Sequence, residues 1–442
     1  MTELSIWGTA CRHISRLLER GLGKSSGAVR TVSVFAGGNL VAALLRTVSG
    51  ILAARFVDPS TLGLFQGIGL TKHYSEFLTI GVGPGLNREL AYNLGADKRE
   101  RVETIGSAAL AYFGLSGSAC CGVLWIAAVW FAVFENNTEV AAGCATYGIV
   151  IFMSFIDVYL FGIFRVSGRF DLIARARIWA GVALLIGIAF VYFFEFYGLC
   201  LRVLLSTLIL GALLWSARPL RVPPRWSWRE VNYLLKVGFP IWGAARLSAL
   251  WDVANSTLIL KALGPEGFGF FAIARLIRDS MKHLPSALQQ VLYPEMTVAF
   301  AKSGDLKAVY RQFAGAVVTV SGSFIPIAVV AWFVLPYGVD LVLPEYTPGV
   351  PAAQWVLLAV VIENFRSPST VVAAVAKNQT YNVLGIVAGF VTYLVLLGGF
   401  WGAGDLELVS FVQALVAGRA VDLVASALLT RRYVMRIHDG VS

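Results

Sequence analysis

Charged side chains set inside apolar stretches are the residues of this chain that could do chemistry. Residues 266–293 carry Arg275, Arg278, Asp279 and Lys282 at i, i+3, i+4 and i+7, one face of a helix. His283 follows, and Pro285 is expected to bend the helix. Residues 60–86 carry Lys72, His73 and Glu76 within one turn, and Glu76 is spaced to neutralise Lys72. Residues 31–57 hold Asn39 and Arg46 on a shared face, Gly50 one turn further on, and Arg55 near the outer end. In 233–262, Arg246 lies two turns from Asp252 and Asn255. Asp157 and Arg202 stand singly, and Glu363–Arg366 and Arg419–Asp422 form i,i+3 pairs.

Ionisable groups at membrane depth are costly and face a bundle interior or a wet cavity. The two i,i+3 pairs suit structural ion pairs, and Arg55 and Lys261 are placed to snorkel from helix ends. On the faces of Arg46, Lys72, Arg275, Arg278 and Lys282, basic groups outnumber acids. Unpaired buried charge is expensive, and water with an anionic ligand relieves it. These residues, with Arg55 and Arg246, are the candidate anion-binding set. Glu76, Asp157, Asp252, His73 and Glu363 are candidates for ion coupling, histidine because it titrates near neutral pH. Tyr74 and Trp251 suit either core packing or stacking on a sugar ring. GxSxG, HExxH and Walker motifs are missing, and no soluble insertion could hold a catalytic domain. The expectation is a non-enzyme with no metal and no cofactor.

The elements that position these residues are membrane helices. The chain has 442 residues, 57% hydrophobic and 14% charged, against about 25% charged in soluble domains. Mean hydropathy is +0.72. Strand alternation is absent, which argues against a barrel. Twelve spans are expected, near 31–57, 60–86, 104–134, 139–164, 174–195, 197–216, 233–262, 266–293, 308–338, 352–376, 380–401 and 406–430. Loops after even-numbered spans are basic, for example Arg165, Arg169, Arg175 and Arg177. Loops after odd-numbered spans lack Lys and Arg and carry acids such as Asp58, Glu195 and Asp405. This bias puts both termini in the cytoplasm. The net charge of +10 is then a membrane-side signal rather than a nucleic-acid one.

Residues 55–65, RFVDPSTLGLF, and 261–271, KALGPEGFGFF, match at an offset of 206 residues, pairing Pro59 with Pro265 and Gly63 with Gly269. The same offset pairs Lys72 with Arg278. Such a duplication suits two parallel repeats around a central site. The expected fold is an all-α membrane protein of two six-helix lobes. Its parts are a cytoplasmic amphipathic segment (1–30), an N-lobe (31–216), a basic linker rich in proline (217–232), a C-lobe (233–430) and a basic tail (431–442). Residues 1–30 lack the apolar core and cleavage site of a signal peptide. The five cysteines show no metal or disulfide spacing.

The segment 50–101 resembles the polysaccharide-export branch of the multidrug/oligosaccharidyl-lipid/polysaccharide (MOP) exporter superfamily. The resemblance is carried by ARFVDPSTLGLFQ (54–66) and GLNRELAYNLGADKRERV (85–102). LGPEGFGFFAIA (263–274), LPSALQQVLYPEMTVAFAKSGD (284–305) and LPEYTPG (343–349) extend it. It implies a flippase in a bacterial-type inner membrane, moving a polyprenyl-diphosphate-linked oligosaccharide outward by alternating access. It also implies a monomer working beside polysaccharide polymerase and chain-length machinery. Arg46 is then the foremost diphosphate contact, followed by Arg275, Arg278 and Lys282, with Lys72 opposite.

Three other functions share parts of this pattern. A cation-coupled drug antiporter would favour an acidic, aromatic cavity, whereas this interior is basic. A facilitator-superfamily transporter shares the twelve-span layout, but the loop GADKRER lacks that family's second glycine. A membrane glycan polymerase needs a sizeable outer loop, and the expected outer loops are short.

Overall fold

The computed structural model describes residues 26–303, 306–366, 369–370, 372–373 and 380–438, and these are almost entirely helical. Most of the expected amphipathic segment and the end of the basic tail lie outside the described residues, as do the side chains of Lys282 and His283.

The chain runs through α1 (Ser26–Ala54), α2 (Pro59–Ser75), a 3-10 turn (Glu76–Thr79) and α3 (Val82–Gly95). There follow α4 (Arg99–Val133), α5 (Thr138–Val166), α6 (Phe170–Ile186) and α7 (Ile188–Ser216). The second half comprises α8 (Trp228–Ser303), α9 (Leu306–Val342), a 3-10 turn (Pro344–Gly349), α10 (Val350–Phe365), α11 (Thr380–Ala403) and α12 (Leu408–His438). Among the described residues, nine helices are long and apolar enough to cross a membrane. The expected count is twelve. The second expected span is broken after Ser75, where Ile80 (φ 39°) and Gly81 (φ 87°) take left-handed conformations before α3 begins. α6, in the fifth, has only 17 residues. The seventh and eighth form one element, α8, interrupted at Gly264.

Local chemistry places these breaks. Pro59 cannot continue α1, and Asp58 caps α2 by accepting from the Thr61 N–H at 2.9 Å. Gly264 sits at φ 69°, ψ −173°, a region essentially reserved for glycine. There α8 folds back on itself, for Arg278 reaches Asp252 across the turn at 2.6 Å. α7 contains a second reversal at Glu195 (φ 45°, ψ −110°). A Cβ on Gly198 would overlap the Phe190 carbonyl oxygen, and Arg202 donates to the Leu184 carbonyl at 3.1 Å.

The two matching segments, 55–65 and 261–271, meet each other. A Cβ on Gly63 would overlap the Pro265 carbonyl oxygen, and one on Gly269 would overlap that of Pro59. The contact is reciprocal, and both helices need glycine to approach so closely. One apolar core spans this crossing, with Phe65, Tyr147, Phe196, Trp251, Phe268 and Tyr393. A second holds Leu86, Phe113, Phe155, Tyr159 and Phe164, joined by Val231 and Leu234 from the start of α8. That start is also held by polar contacts: Tyr233 donates to Glu89 at 2.9 Å, and Arg101 pairs with Glu230 at 2.7 Å. Outward faces carry exposed Trp125, Ile126, Phe193, Phe333 and Trp401, which suits hydrocarbon.

Candidate functional site

Two charged constellations and one bridge between them lie along the packed helices. The first joins the hairpin of α8 to α10 and α12. Arg278 donates to Asp252 and to Glu363, each at 2.6 Å. Arg419 reaches the same two carboxylates at 2.6 and 3.0 Å and lies 3.9 Å over the Trp251 ring. Arg366 pairs with Asp422 at 2.9 Å. Among the described residues, three guanidiniums therefore meet three carboxylates in a largely buried knot.

The knot changes several expected pairings. Glu363 turns from Arg366, its i,i+3 neighbour, to Arg278 and Arg419, while Arg366 takes Asp422. Arg419 and Asp422 are 4.0 Å apart and share a helix, but each has a shorter contact elsewhere. Arg278 is not part of an acid-poor face, because carboxylates from two other helical segments converge on it. Asp252 and Glu363 are held by arginines. Trp251, 1% exposed, is sealed in the core, out of reach of a sugar.

The bridge connects α2 with the first half of α8. Glu76 is spaced for Lys72 but pairs with Arg246 at 2.8 Å. Tyr74 bonds Thr257 at 2.6 Å, and the Phe77 ring meets Trp242 edge-on. Gly81 and Gly238 allow backbone contact just beyond. On the other side, Thr47 of α1 bonds Ser280 of α8 at 3.0 Å.

The second constellation gathers residues of α1, α2, α5, α6 and α8. Arg46 is exposed on α1 and makes no salt bridge among the described residues. Exposed Asp279 and, from α6, Arg177 lie within its electrostatic reach. Arg177 donates to Asn39 at 2.6 Å and lies 4.8 Å from the Phe161 ring. Half-buried Lys72 likewise has no carboxylate within 4.0 Å among the described residues. Half-buried His73 lies near Lys72, Glu76, Asp279 and Arg275. Arg275 contacts Gln66 at 3.4 Å and lies 5.5 Å from the Phe268 ring. Buried Asp157 has one carboxylate oxygen without a hydrogen-bond partner among the described residues, with Lys72 and Arg177 nearby. Four cations thus have three acids near them, Asp157, Asp279 and, beside Arg275, Asp252. Arg55 and Lys261 stand apart, exposed at the outer helix ends.

Arg177 is the residue that sequence reasoning missed. It reads as part of a basic loop, but α6 starts at Phe170 and carries it two turns inward, beside Asn39. Its position three residues inside the expected fifth span was the one available signal.

An all-helical multi-pass membrane protein with charged seams between its helices is the architecture of a transporter. A family model described as "Polysaccharide biosynthesis protein" matches residues 51–346. The chain belongs to this polysaccharide biosynthesis family. No curated protein matches the sequence. Among solved structures, the fold resembles an inward-facing multidrug-resistance MATE family transporter of the MOP superfamily. The TM-score is 0.73 at 15% identity, covering 90% of this chain and 96% of the other. An outward-facing MATE transporter gives 0.64 at 14% identity, covering 92% and 96%. A MOP superfamily transporter from Pyrococcus furiosus, described as having a binding pocket of reversed polarity, gives 0.67 at 14% identity, covering 92% and 96%.

Proposed function

We infer that the protein is a flippase that moves a polyprenyl-diphosphate-linked oligosaccharide from the inner to the outer leaflet of a bacterial-type inner membrane. The observation that carries this reading is the set Arg46, Arg177, Lys72 and Arg275, brought together from α1, α6, α2 and α8 with Asp157, Asp279 and, toward Arg275, Asp252 as the acids near it. A diphosphate is the anion that such guanidinium forks grip best. The family's link to polysaccharide synthesis supports a glycan cargo. Twelve spans in two parallel six-helix lobes, with both termini cytoplasmic, accommodate the hairpins at Glu195 and Gly264. The lobes rock about the reciprocal Gly63–Gly269 crossing.

Coupling falls to Asp157 and His73. Glu76, Asp252 and Glu363 already hold arginines, whereas Asp157 is buried with an unsatisfied oxygen. The test is leaflet translocation of a labelled polyprenyl-diphosphate glycan in vesicles containing this protein alone. Wild type should translocate it, and Arg46→Ala with Lys72→Ala should not, at equal protein abundance. Undiminished translocation by that double variant would refute the cationic site.

A further inference from the structure

A groove of about 490 Å³ shares no lining residue with the charged seams. Its walls include Leu110 and Gly114 of α4, Ile156 of α5 and Trp215 of α7. Arg218 and Arg221 of the segment after α7 stand at its mouth, and no carboxylate lines it. The groove opens at the basic end of the bundle, where α4 begins and α5 and α7 end. At 1.5 Å per residue, Leu110 and Gly114 lie roughly 16 and 22 Å along α4, and Ile156 roughly 15 Å before the end of α5. The lining is therefore apolar along α4 and α5, with two cations where α7 ends.

The mouth is built rather than incidental. Arg218 donates to the Trp215 carbonyl at 3.0 Å and lies 3.9 Å from the Trp215 ring, leaving most of its N–H groups free to face outward. Pro219, Pro223 and Pro224 stiffen the segment. The Arg225 N–H donates to the Ser107 carbonyl at 3.3 Å, and Leu220 packs against Gly106. Half-exposed Trp215 sits where indoles mark the headgroup level.

The geometry points to a resident anionic glycerophospholipid in this groove, its phosphate held by Arg218 and Arg221 and one acyl chain laid along Leu110, Gly114 and Ile156. A free phosphate would leave the apolar wall wet, and a zwitterionic lipid would not use the second cation. The site serves the stability of this face and is independent of the cargo.

The full-length protein in mixed detergent micelles tests it, with phosphatidylglycerol, phosphatidylcholine and inorganic phosphate as separate arms. Native mass spectrometry should show phosphatidylglycerol retained and thermal stability raised in that arm alone. Arg218→Ala with Arg221→Ala should weaken retention roughly 30-fold, at about fivefold per basic residue. A Cβ on Gly114 meets nothing within 4 Å, so Gly114→Leu should fold and displace the acyl chain with both arginines in place. Equal retention of phosphatidylglycerol by wild type and Gly114→Leu, or equal effects of phosphatidylcholine, would overturn the assignment. Stabilisation by inorganic phosphate alone would also overturn it.

Discussion

Replacing Arg278 by Met separates a structural from a substrate-binding role for the residue at the centre of the knot. Its side chain is 10% exposed and contacts Asp252 and Glu363, whose side chains are 31% and 13% exposed. Removing it takes away the guanidinium that Asp252 and Glu363 share, leaving them Arg419 of the arginines described. Breaking a buried pair in this way costs about 3–5 kcal/mol. For a chain of this size that is a fall of roughly 3–5 °C in the thermal midpoint. Adding Glu363→Gln removes one of the two carboxylates that lost Arg278 and should recover about half of the loss or more. The assay is thermal unfolding of purified protein in detergent, with vesicle translocation measured in parallel. Translocation lost in Arg278→Met at an unchanged midpoint, with no rescue by Glu363→Gln, would refute the structural role and make Arg278 a cargo ligand.

Three further outcomes are expected. Glu76→Gln should shift the thermal midpoint little, since its pair with Arg246 is partly exposed and worth about 1 kcal/mol at most; the change should show instead in the translocation rate, and a large stability loss would contradict this. Gly63→Val and Gly269→Val should each disrupt the reciprocal crossing and cut folded yield to a similar degree; normal yield from either would mean that the helices separate at little cost. Asp157→Asn should leave the thermal midpoint equal or higher while removing the response of translocation to an imposed pH gradient, measured in the same vesicles at two internal pH values; an unchanged response would exclude Asp157 from coupling.

Much of this protein was legible in its sequence. Hydropathy demanded membrane helices, since no watery surface tolerates such an apolar chain. The breaks followed from local chemistry: Pro59 after Asp58 ends one helix, and Gly264 alone could adopt its backbone angles. The repeat told which residues correspond, and Pro59, Gly63, Pro265 and Gly269 prove to touch one another. Intramembrane charge also announced itself, because each such residue needs a reason to be there. Partnership was the part that only the tertiary structure decided. Spacing offers Lys72 to Glu76 and Arg366 to Glu363, but those acids took Arg246, and Arg278 with Arg419. A neighbour at i+3 or i+4 gains a few tenths of a kcal/mol, and a guanidinium that packing already holds at 2.6–2.8 Å from the carboxylate outcompetes it. Which carboxylate arrives depends on how each helix is rotated about its axis when the bundle packs. That rotation also carries Arg177 from an expected loop to the side of Asn39, and periodicity along one chain does not encode it.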